Sequence, residues 1–282
     1  MFTTSILILS LSGLIFGGLL AIASKKFKVE IDPKEEEILK ALPNTNCGAC
    51  GFPGCGSAAK AMAAHEAPAD SCTAGGADVA EAVCQILGVT VELDAHRKVA
   101  VIICKGGERE AKKKAIYSGI KDCKSAALVV GGPKSCSYAC IGFGTCAVVC
   151  PFDAIYMDEN SLPVVDEVKC TGCGVCVTNC PKNVIKLITS DNRIHVRCSS
   201  LDKGNITRKS CVVGCIACMK CAKACPVQAI DMIDNVAIID PDKCTNCRKC
   251  VELCPTDAIE NYFADEPRYA SLYKDADEDK GE

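Results

Sequence analysis

One spacing of cysteines recurs three times in this chain and limits what it can fold into. Each copy reads Cys-x2-Cys-x2-Cys-x3-Cys-Pro, and the copies occupy residues 170–181, 215–226 and 244–255. Three thiolates on one tight loop can hold three corners of a cubane cluster, whereas the fourth cysteine, next to proline, normally ligates a neighbouring cluster. The repeated spacing therefore predicts [4Fe–4S] clusters and a role in electron transfer.

The overall cysteine content supports a metal-binding protein rather than a disulfide-linked one. The chain has 25 cysteines among 282 residues, a density that in a short secreted chain indicates a disulfide scaffold. Here the count is odd, the chain is long, and disulfides do not require such regular spacing. Thiolates are soft ligands that suit iron–sulfur clusters. Because aromatic residues make up only 5% of the chain, we expect several small modules organised by their clusters.

A fourth, less regular copy precedes the three regular ones. It contains Cys140, Cys146 and Cys150, but Phe143 stands where the second cysteine is expected. Cys136, four residues upstream of Cys140, is the predicted substitute; a three-iron cluster or no cluster is the alternative. All four copies share an isoleucine at the same offset after the Cys-Pro pair, which indicates an internal repeat. These residues are Ile155, Ile185, Ile230 and Ile259.

The separations between the Cys-Pro pairs predict how the four copies combine. Cys150 and Cys180 are 30 residues apart and Cys225 and Cys254 are 29 apart, whereas Cys180 and Cys225 are 45 apart. We therefore expect the first copy to pair with the second and the third with the fourth. Because the fourth cysteine crosses to the partner cluster, four ligand sets follow. They are Cys136, Cys140, Cys146 and Cys180; Cys150, Cys170, Cys173 and Cys176; Cys215, Cys218, Cys221 and Cys254; and Cys225, Cys244, Cys247 and Cys250.

The fold class predicted from these repeats is α+β. Two dicluster [4Fe–4S] ferredoxin-like domains are expected at residues 136–197 and 215–262, separated by an insertion at 198–214. Short alternating stretches around turn residues, at 155–165 and 184–196, predict β-hairpins that cap the clusters.

A different cysteine pattern lies closer to the N-terminus, in a predicted module at residues 41–95. It reads Cys-x2-Cys-x4-Cys-x16-Cys and comprises Cys47, Cys50, Cys55 and Cys72. Glycines between the cysteines permit backbone conformations that wrap closely around a cluster. We expect a fifth [4Fe–4S] cluster here. A structural zinc ion is the alternative, because four cysteines also suit tetrahedral zinc.

Five cysteines are left over from these sets. They are Cys84, Cys104, Cys123, Cys198 and Cys211. The last four occupy the predicted connecting segment, residues 96–135, and the insertion. Our hypothesis is that these four hold a sixth cluster between the modules; the alternative is four free buried thiols that pack as small hydrophobic residues. Cys84 falls on an apolar helix and is predicted to belong to a core.

The N-terminal stretch is predicted to anchor the chain in a membrane. No charged residue occurs between Phe2 and Ser24, which is long enough for one transmembrane helix. Lysines follow this stretch rather than precede it, which argues against the alternative of a secretory signal peptide. By the positive-inside rule, we expect a single-pass protein of the cell (inner) membrane with its bulk in the cytoplasm. The anchor comprises residues 1–24, a linker 25–40, and an acidic tail 263–282.

The sequence gives no sign of a nucleic-acid site or of a catalytic site. The formal net charge of −3 gives no case for binding nucleic acid. No Gly-x-Gly-x-x-Gly motif follows a strand, so we do not expect this chain to bind NAD itself. No arrangement of nucleophile, base and acid residues stands out. The predicted cysteines therefore hold an electron-transfer path and do not react with a substrate.

The order of these features resembles one family. An N-terminal anchor, the module from Cys47 to Cys72 and C-terminal ferredoxin-type copies resemble the B subunit of Rnf-type ion-translocating ferredoxin:NAD oxidoreductase complexes, in a long form with two dicluster domains. The resemblance implies electron transport in a translocase that couples electron flow between ferredoxin and NAD to Na+ or H+ transport. It also implies soluble ferredoxin and other membrane subunits as partners. The alternative is an iron–sulfur subunit of another membrane respiratory or hydrogenase-type oxidoreductase.

Overall fold

The computed structural model describes residues 2–26, 32–90 and 97–262 of the chain. Helix α1 spans Phe2–Lys26. No helix within these described ranges has the combined length and hydropathy of a membrane span, so the anchor stays a prediction. The predicted acidic tail, 263–282, lies outside the described residues.

Three short helices form the N-terminal module. They are α2 (Pro33–Ala41), α3 (Cys55–Ala63) and α4 (Gly76–Leu87). Helix α2 begins where Asp32 caps it, since the Asp32 carboxylate accepts a hydrogen bond of 2.9 Å from the Lys34 backbone N–H. Ile38, Met62 and Val83, one from each helix, are fully buried in a common cluster. This small core supports the loops that carry the first cysteine pattern.

The first dicluster domain, which is described throughout residues 97–189, has four strands and three short helices. In chain order they are β1 (Lys98–Ile102), α5 (Cys123–Leu128), α6 (Thr145–Val148), β2 (Ile155–Met157), β3 (Pro163–Val165), α7 (Val175–Asn179) and β4 (Ile185–Thr189). Strands β2 and β3 form the predicted hairpin, with Ile155 opposite Val165. Strand β1 pairs antiparallel with β4, and its residues Val99 to Ile102 are buried. The predicted connecting segment thus supplies a strand of this domain.

The second dicluster domain repeats the arrangement. Its elements are β5 (Ile194–Val196), α8 (Gly204–Ser210), α9 (Lys220–Ala224), β6 (Ile230–Ile233), β7 (Val236–Ile239), α10 (Lys249–Glu252) and β8 (Ile259–Asn261). Strands β6 and β7 form a hairpin around Asp234 and Asn235, which both have positive φ. Strand β5 pairs antiparallel with β8. In each domain the first strand therefore pairs with the last, and the two middle strands form a hairpin.

The hairpin expected at residues 184–196 does not form, so that prediction was wrong. Strands β4 and β5 flank the turn, but each pairs with a strand distant in sequence. Backbone hydrogen bonds extend both pairings: the Ser190 N–H donates to the Arg97 carbonyl at 2.8 Å, and the Tyr262 N–H donates to the Arg193 carbonyl at 2.6 Å. Long-range pairing of buried strands has outweighed a local turn signal, and β5 belongs with the second domain.

A buried arginine joins the two dicluster domains. Arg197 follows β5; its Nε donates to the Ile102 carbonyl at 2.8 Å and its Nη2 to the Cys104 carbonyl at 3.3 Å. Its Nη1 pairs with the Glu260 carboxylate at 2.5 Å, and the guanidinium lies 4.9 Å from the centroid of the Tyr262 ring. Because the guanidinium and its partners are buried together, this contact holds the domains to each other and positions Cys104 at their junction.

Candidate iron–sulfur centres

A cavity in the N-terminal module is lined by four cysteines, which we call set 1. They are Cys47, Cys50, Cys55 and Cys72. The loop closes on itself because the side-chain oxygen of Asn46 accepts a hydrogen bond of 2.9 Å from the Cys55 backbone N–H. Burial raises the pKa of Cys72, and the charges of the other three thiolates raise it further. A bound cationic core relieves such repulsion, so the arrangement fits a metal cluster.

A second cavity is lined by four cysteines, set 2, that the crossover pattern predicts for one cluster. They are Cys150, Cys170, Cys173 and Cys176. Strand β1 covers this site, and its Ala100 N–H donates to the Cys170 Sγ at 3.4 Å. Gly172 has a φ of +70°, and a Cβ at this position would clash with the Lys98 carbonyl oxygen. Only glycine therefore fits between the ligand loop and β1.

A third cavity is lined by set 3, where one predicted member is replaced. The set is Cys123, Cys140, Cys146 and Cys180. The sequence-based grouping placed Cys136 here, whereas the wall of the cavity contains Cys123 and not Cys136. The Cys123 backbone N–H donates to the Thr145 Oγ1 at 2.8 Å, and that hydroxyl donates to the Asp122 Oδ1 at 2.8 Å. These hydrogen bonds hold the start of α5 against the start of α6, which carries Cys146.

Two cavities in the second domain are lined by the cysteines that the spacing groups together. Set 5 is Cys215, Cys218, Cys221 and Cys254; set 6 is Cys225, Cys244, Cys247 and Cys250. The Ala229 N–H donates to the Cys225 Sγ at 3.2 Å, a contact that favours a charged sulfur ligand. Burial raises the pKa of Cys250 to about 11, and Cys221 of set 5 adds to that rise. Sets 5 and 6 are therefore neighbours.

Four cysteines gather at the junction between the two domains and form set 4. They are Cys104, Cys136, Cys198 and Cys211. A Cβ at Gly106 would lie 3.0 Å from the Cys211 Sγ and 3.9 Å from the Cys104 Sγ. Burial raises the pKa of Cys211 to about 11, with Cys104 and Cys136 adding to the rise. Burial also raises the pKa of Cys198 to about 12, again with a contribution from Cys104. Cys104 thus lies near the other three.

Cys123 and Cys136 have exchanged places relative to the sequence-based grouping. The predicted sixth quartet contained Cys123, whereas the structure has Cys136 in set 4. Phe143, which replaces the regular second cysteine, has its ring centroid 5.5 Å from that of Tyr117. This contact holds the segment leading into α5 beside the irregular copy. Cys123 can therefore supply the fourth thiol there, and Cys136 is left for set 4.

The donor sets and the cavities fit [4Fe–4S] clusters. The cavities of sets 1, 2, 3, 5 and 6 each have four cysteines in their walls. An all-thiolate donor set of four is what each copy of such a cluster requires. In the described part of the chain, no group of three or more His, Cys, Asp or Glu residues converges on a single metal ion. A cubane does not require such convergence, because each of its four irons takes one thiolate.

Sets 1, 2 and 3 follow one another in space. Burial raises the pKa of Cys173 in set 2, and the charge of Cys47 in set 1 raises it further. Burial raises the pKa of Cys176 to about 12, and Cys146 in set 3 adds to that rise. An electrostatic contribution of this kind requires the two thiols to be close. The N-terminal module therefore adjoins the first dicluster domain at its cysteine sites.

This row of neighbouring cysteine sets continues through set 4 into the second domain. The backbone N–H of Cys140 in set 3 donates to the Sγ of Cys104 in set 4 at 3.4 Å. The charge of Cys215 in set 5 adds to the raised pKa of Cys198 in set 4. Together with the proximity of sets 5 and 6, these contacts arrange all six cysteine sets in the order 1 to 6.

Family models match the same cysteine regions. A model described as an Fe-S cluster matches residues 42–74, which contain set 1. A model of the 4Fe-4S dicluster domain matches residues 139–187 and 214–258. These matches support [4Fe–4S] clusters in the chain. The four cysteines of set 4, and Cys123 of set 3, lie outside the matched ranges.

Similarity to whole proteins covers most of the chain. The B subunit of the Na(+)-translocating ferredoxin:NAD(+) oxidoreductase complex of Acetobacterium woodii is 47% identical, over 84% of this chain and 71% of the relative. The B subunit of the ion-translocating oxidoreductase complex of Methanosarcina acetivorans is 40% identical, over 86% of this chain and 91% of the relative. The chain belongs to the Rnf-type B-subunit family. A further member, from the proton-translocating complex of Clostridium ljungdahlii, is 42% identical over 85% of this chain and 84% of its own length.

Membership of the Rnf-type B-subunit family confirms the resemblance drawn from the sequence. The chain is therefore an iron–sulfur electron-transfer subunit of an ion-translocating oxidoreductase complex. Other subunits of such a complex are its partners, and Rnf-type complexes are associated with membranes.

Proposed function

We propose that this chain carries electrons along six [4Fe–4S] clusters, one in each cysteine set, between soluble ferredoxin and partner subunits in a membrane. The row of sets supports this most directly, since each set has a cysteine close to a cysteine of the next. Bound clusters supply centres that accept and release one electron at a time. The chain's thiolates hold them, and backbone N–H groups donate hydrogen bonds to the sulfur ligands.

The second dicluster domain is the part that we expect to meet soluble ferredoxin. Of the 25 cysteines, Cys218 in set 5 and Cys247 in set 6 are the exposed ones. Each is followed within two positions in sequence by exposed basic residues, which are Lys220, Arg248 and Lys249. Basic side chains beside a cluster near the surface suit the approach of an acidic electron carrier. Set 1, at the other end of the row, follows the N-terminal helix in sequence and is the end that passes electrons to partner subunits.

The proposed anchor is a single transmembrane helix formed by residues 1–24, with the bulk of the subunit on the cytoplasmic side of the cell (inner) membrane. The support is the uncharged sequence from Phe2 to Ser24 and the lysines that follow it. Ion transport is the task of partner subunits in this proposal, with Na+ or H+ as the ion. The relatives from Acetobacterium woodii and Clostridium ljungdahlii are named Na(+)-translocating and proton-translocating, respectively.

Iron and sulfide quantitation after anaerobic purification tests the number of clusters. Six clusters require about 24 iron atoms per chain and five require about 20. Cys211→Ala should lose about four iron atoms. The matched control is Cys84→Ala, whose cysteine packs in the core of the N-terminal module as predicted, and this variant should retain all its iron. A wild-type value near 20 with full electron transfer would remove set 4 from the proposal.

A further inference from the structure

Lys134 is a buried cation next to the centre of the row. Its side chain is among the buried charged groups, with 3% of the residue exposed, and its Nζ donates to the Gly106 carbonyl at 2.8 Å. None of the ion pairs formed among residues 2–26, 32–90 and 97–262 includes Lys134. A buried ammonium without a carboxylate is costly, so a nearby anionic group must offset it.

The ammonium lies next to set 4. Gly106, whose carbonyl it binds, is packed against Cys211 and Cys104 of set 4. The Cys104 Sγ in turn accepts a hydrogen bond of 3.4 Å from the backbone N–H of Cys140 in set 3. The charge of Lys134 is therefore placed beside set 4, whose Cys104 adjoins set 3.

The other buried cation of this region differs in its charge balance. Arg197 forms an ion pair with Glu260, and Lys105 forms a second ion pair with the same carboxylate. The charge of Arg197 is therefore offset by a protein carboxylate and acts mainly in joining the two domains. Lys134 has no such offset among the described residues, so its charge is available to an anionic group in set 4.

We propose that Lys134 is the counter-charge of set 4 and that it raises the reduction potential of the cluster held there. This inference rests on the proposed function, in which set 4 holds a cluster. Reduction adds one electron, taken from the neighbouring set, and no proton. A fixed positive charge in a site of low dielectric constant stabilises the more negative state, so the reduced form gains more. An electron in set 4 is then held more firmly than it would be without this charge.

The test is a redox titration of the full chain, purified anaerobically and followed by EPR. Lys134→Met should keep its iron and shift one cluster signal to a more negative midpoint potential. Lys134→Arg, which preserves the charge, should titrate close to wild type. Lys112→Met is the matched control, because Lys112 also belongs to the predicted connecting segment, residues 96–135, but is exposed. Solvent screens its charge, so no shift in midpoint potential is expected.

The outcomes separate this proposal from the one on which it rests. Full iron with unchanged potentials in Lys134→Met would overturn it, and so would an equal shift in Lys112→Met. If Lys134→Met and Lys134→Gln lose iron while Lys134→Arg keeps it, the charge is needed for cluster retention and the counter-charge role is supported. Loss of iron in all three would overturn that role, because shape rather than charge would then matter. Full iron in Cys211→Ala would instead refute the cluster in set 4.

Discussion

The two dicluster domains share a strand arrangement but complete their cysteine sets differently. In both, the first and last strands pair and the middle strands form a hairpin. In the second domain, sets 5 and 6 take all their cysteines from the two regular copies at 215–226 and 244–255. The first domain has Phe143 inside its first copy, and Cys123, from a separate helix, completes set 3. Both domains thus have cavities lined by four cysteines, although the cysteine motif itself is incomplete in the first domain. A cysteine from another segment can complete a set when hydrogen bonds hold that segment in place.

The domains also differ in what covers them. Phe152 and Cys173 of the first domain pack against the core of the N-terminal module, and Arg197 fastens its other side to the second domain. The second domain leaves Cys218 and Cys247 exposed. On this comparison the first domain is an internal part of the electron path, and the second domain is its open end.

The largest expected difference between the domains concerns electron flow. Cys173→Ala should remove about four iron atoms and reduce ferredoxin-dependent NAD reduction by the assembled complex to background, because set 2 lies inside the row. Cys247→Ala should remove a similar amount of iron but keep part of the activity, since the neighbouring set 5 is also exposed and can still receive electrons. Iron content and turnover are measured together. Equal loss of activity in both variants would show that set 6 is as internal to the path as set 2.

The next effect concerns the contacts between the domains. Arg197→Met should lower the free energy of unfolding by about 3–5 kcal/mol, because the buried carbonyls of Ile102 and Cys104 lose their donor and Glu260 loses this ion pair while keeping the one with Lys105. Arg193→Met is the control: Arg193 pairs with Glu167 across the same domains at 2.9 Å, but its side chain is 38% exposed. This variant should lose about 0–1 kcal/mol. Denaturant midpoints of the iron-loaded protein measure both, and equal losses would mean that burial does not distinguish the two contacts.

The sequence predicted the sites whose ligands come from regular copies of the motif. Sets 5 and 6 follow from this spacing, because three cysteines share one tight loop and the fourth comes from the paired copy. Sets 3 and 4 draw on separate segments, and the choice between Cys123 and Cys136 depends on the hydrogen bond to Thr145 and the ring contact of Tyr117 with Phe143. No periodicity in the sequence reports such contacts.

The strand pairing shows the same limit. The hairpin of β2 and β3 was predictable, because its turn and both strands lie within residues 155–165. The turn between β4 and β5 has a similar local signal, yet both strands pair elsewhere. What decides this is the buried strand β1, whose apolar residues 99–102 were visible in the sequence but whose partner was not.

A smaller effect is expected at the third position of the ligand loops, which has positive φ in both domains. Gly172 in the first domain has φ +70°, and its counterparts in the second are Ala217 at +55° and Asn246 at +53°. Gly172→Ala should destabilise the protein by more than about 2 kcal/mol, because the left-handed conformation costs about 1–2 kcal/mol and the new Cβ would also clash with β1. Ala217→Gly removes that conformational cost and should be neutral or stabilising by up to about 1 kcal/mol.

Denaturant midpoints and iron content are measured for both Gly172→Ala and Ala217→Gly. Loss of iron from set 2 in Gly172→Ala would agree with the close contact between its loop and the Lys98 carbonyl. If Gly172→Ala is as stable as wild type, strand β1 does not lie close enough to the ligand loop to exclude a Cβ at position 172. The contact between the predicted connecting segment and set 2 is then less close than the fold indicates.

The smallest expected effect is a pH dependence in the second domain. His195, on β5, is buried with its ring edge towards Tyr262, and burial lowers its pKa to about 4; the charges of Arg197 and Arg193 also lower it. In the unfolded chain the pKa of histidine is about 6.5. As the pH falls, the unfolded state therefore binds a proton before the folded state does. The stability contributed by neutral His195 is present above about pH 6.5 and is lost progressively towards pH 4.

Replacing this histidine should remove that part of the acid sensitivity. Between pH 7.5 and 5.5, wild type should lose about 1 kcal/mol more stability than His195→Phe, whereas His65→Phe, which changes an exposed histidine of the N-terminal module, should follow wild type. Denaturant midpoints at several pH values measure the difference. If His195→Phe loses stability in parallel with wild type, the buried pairing of β5 with β8 does not carry the acid sensitivity.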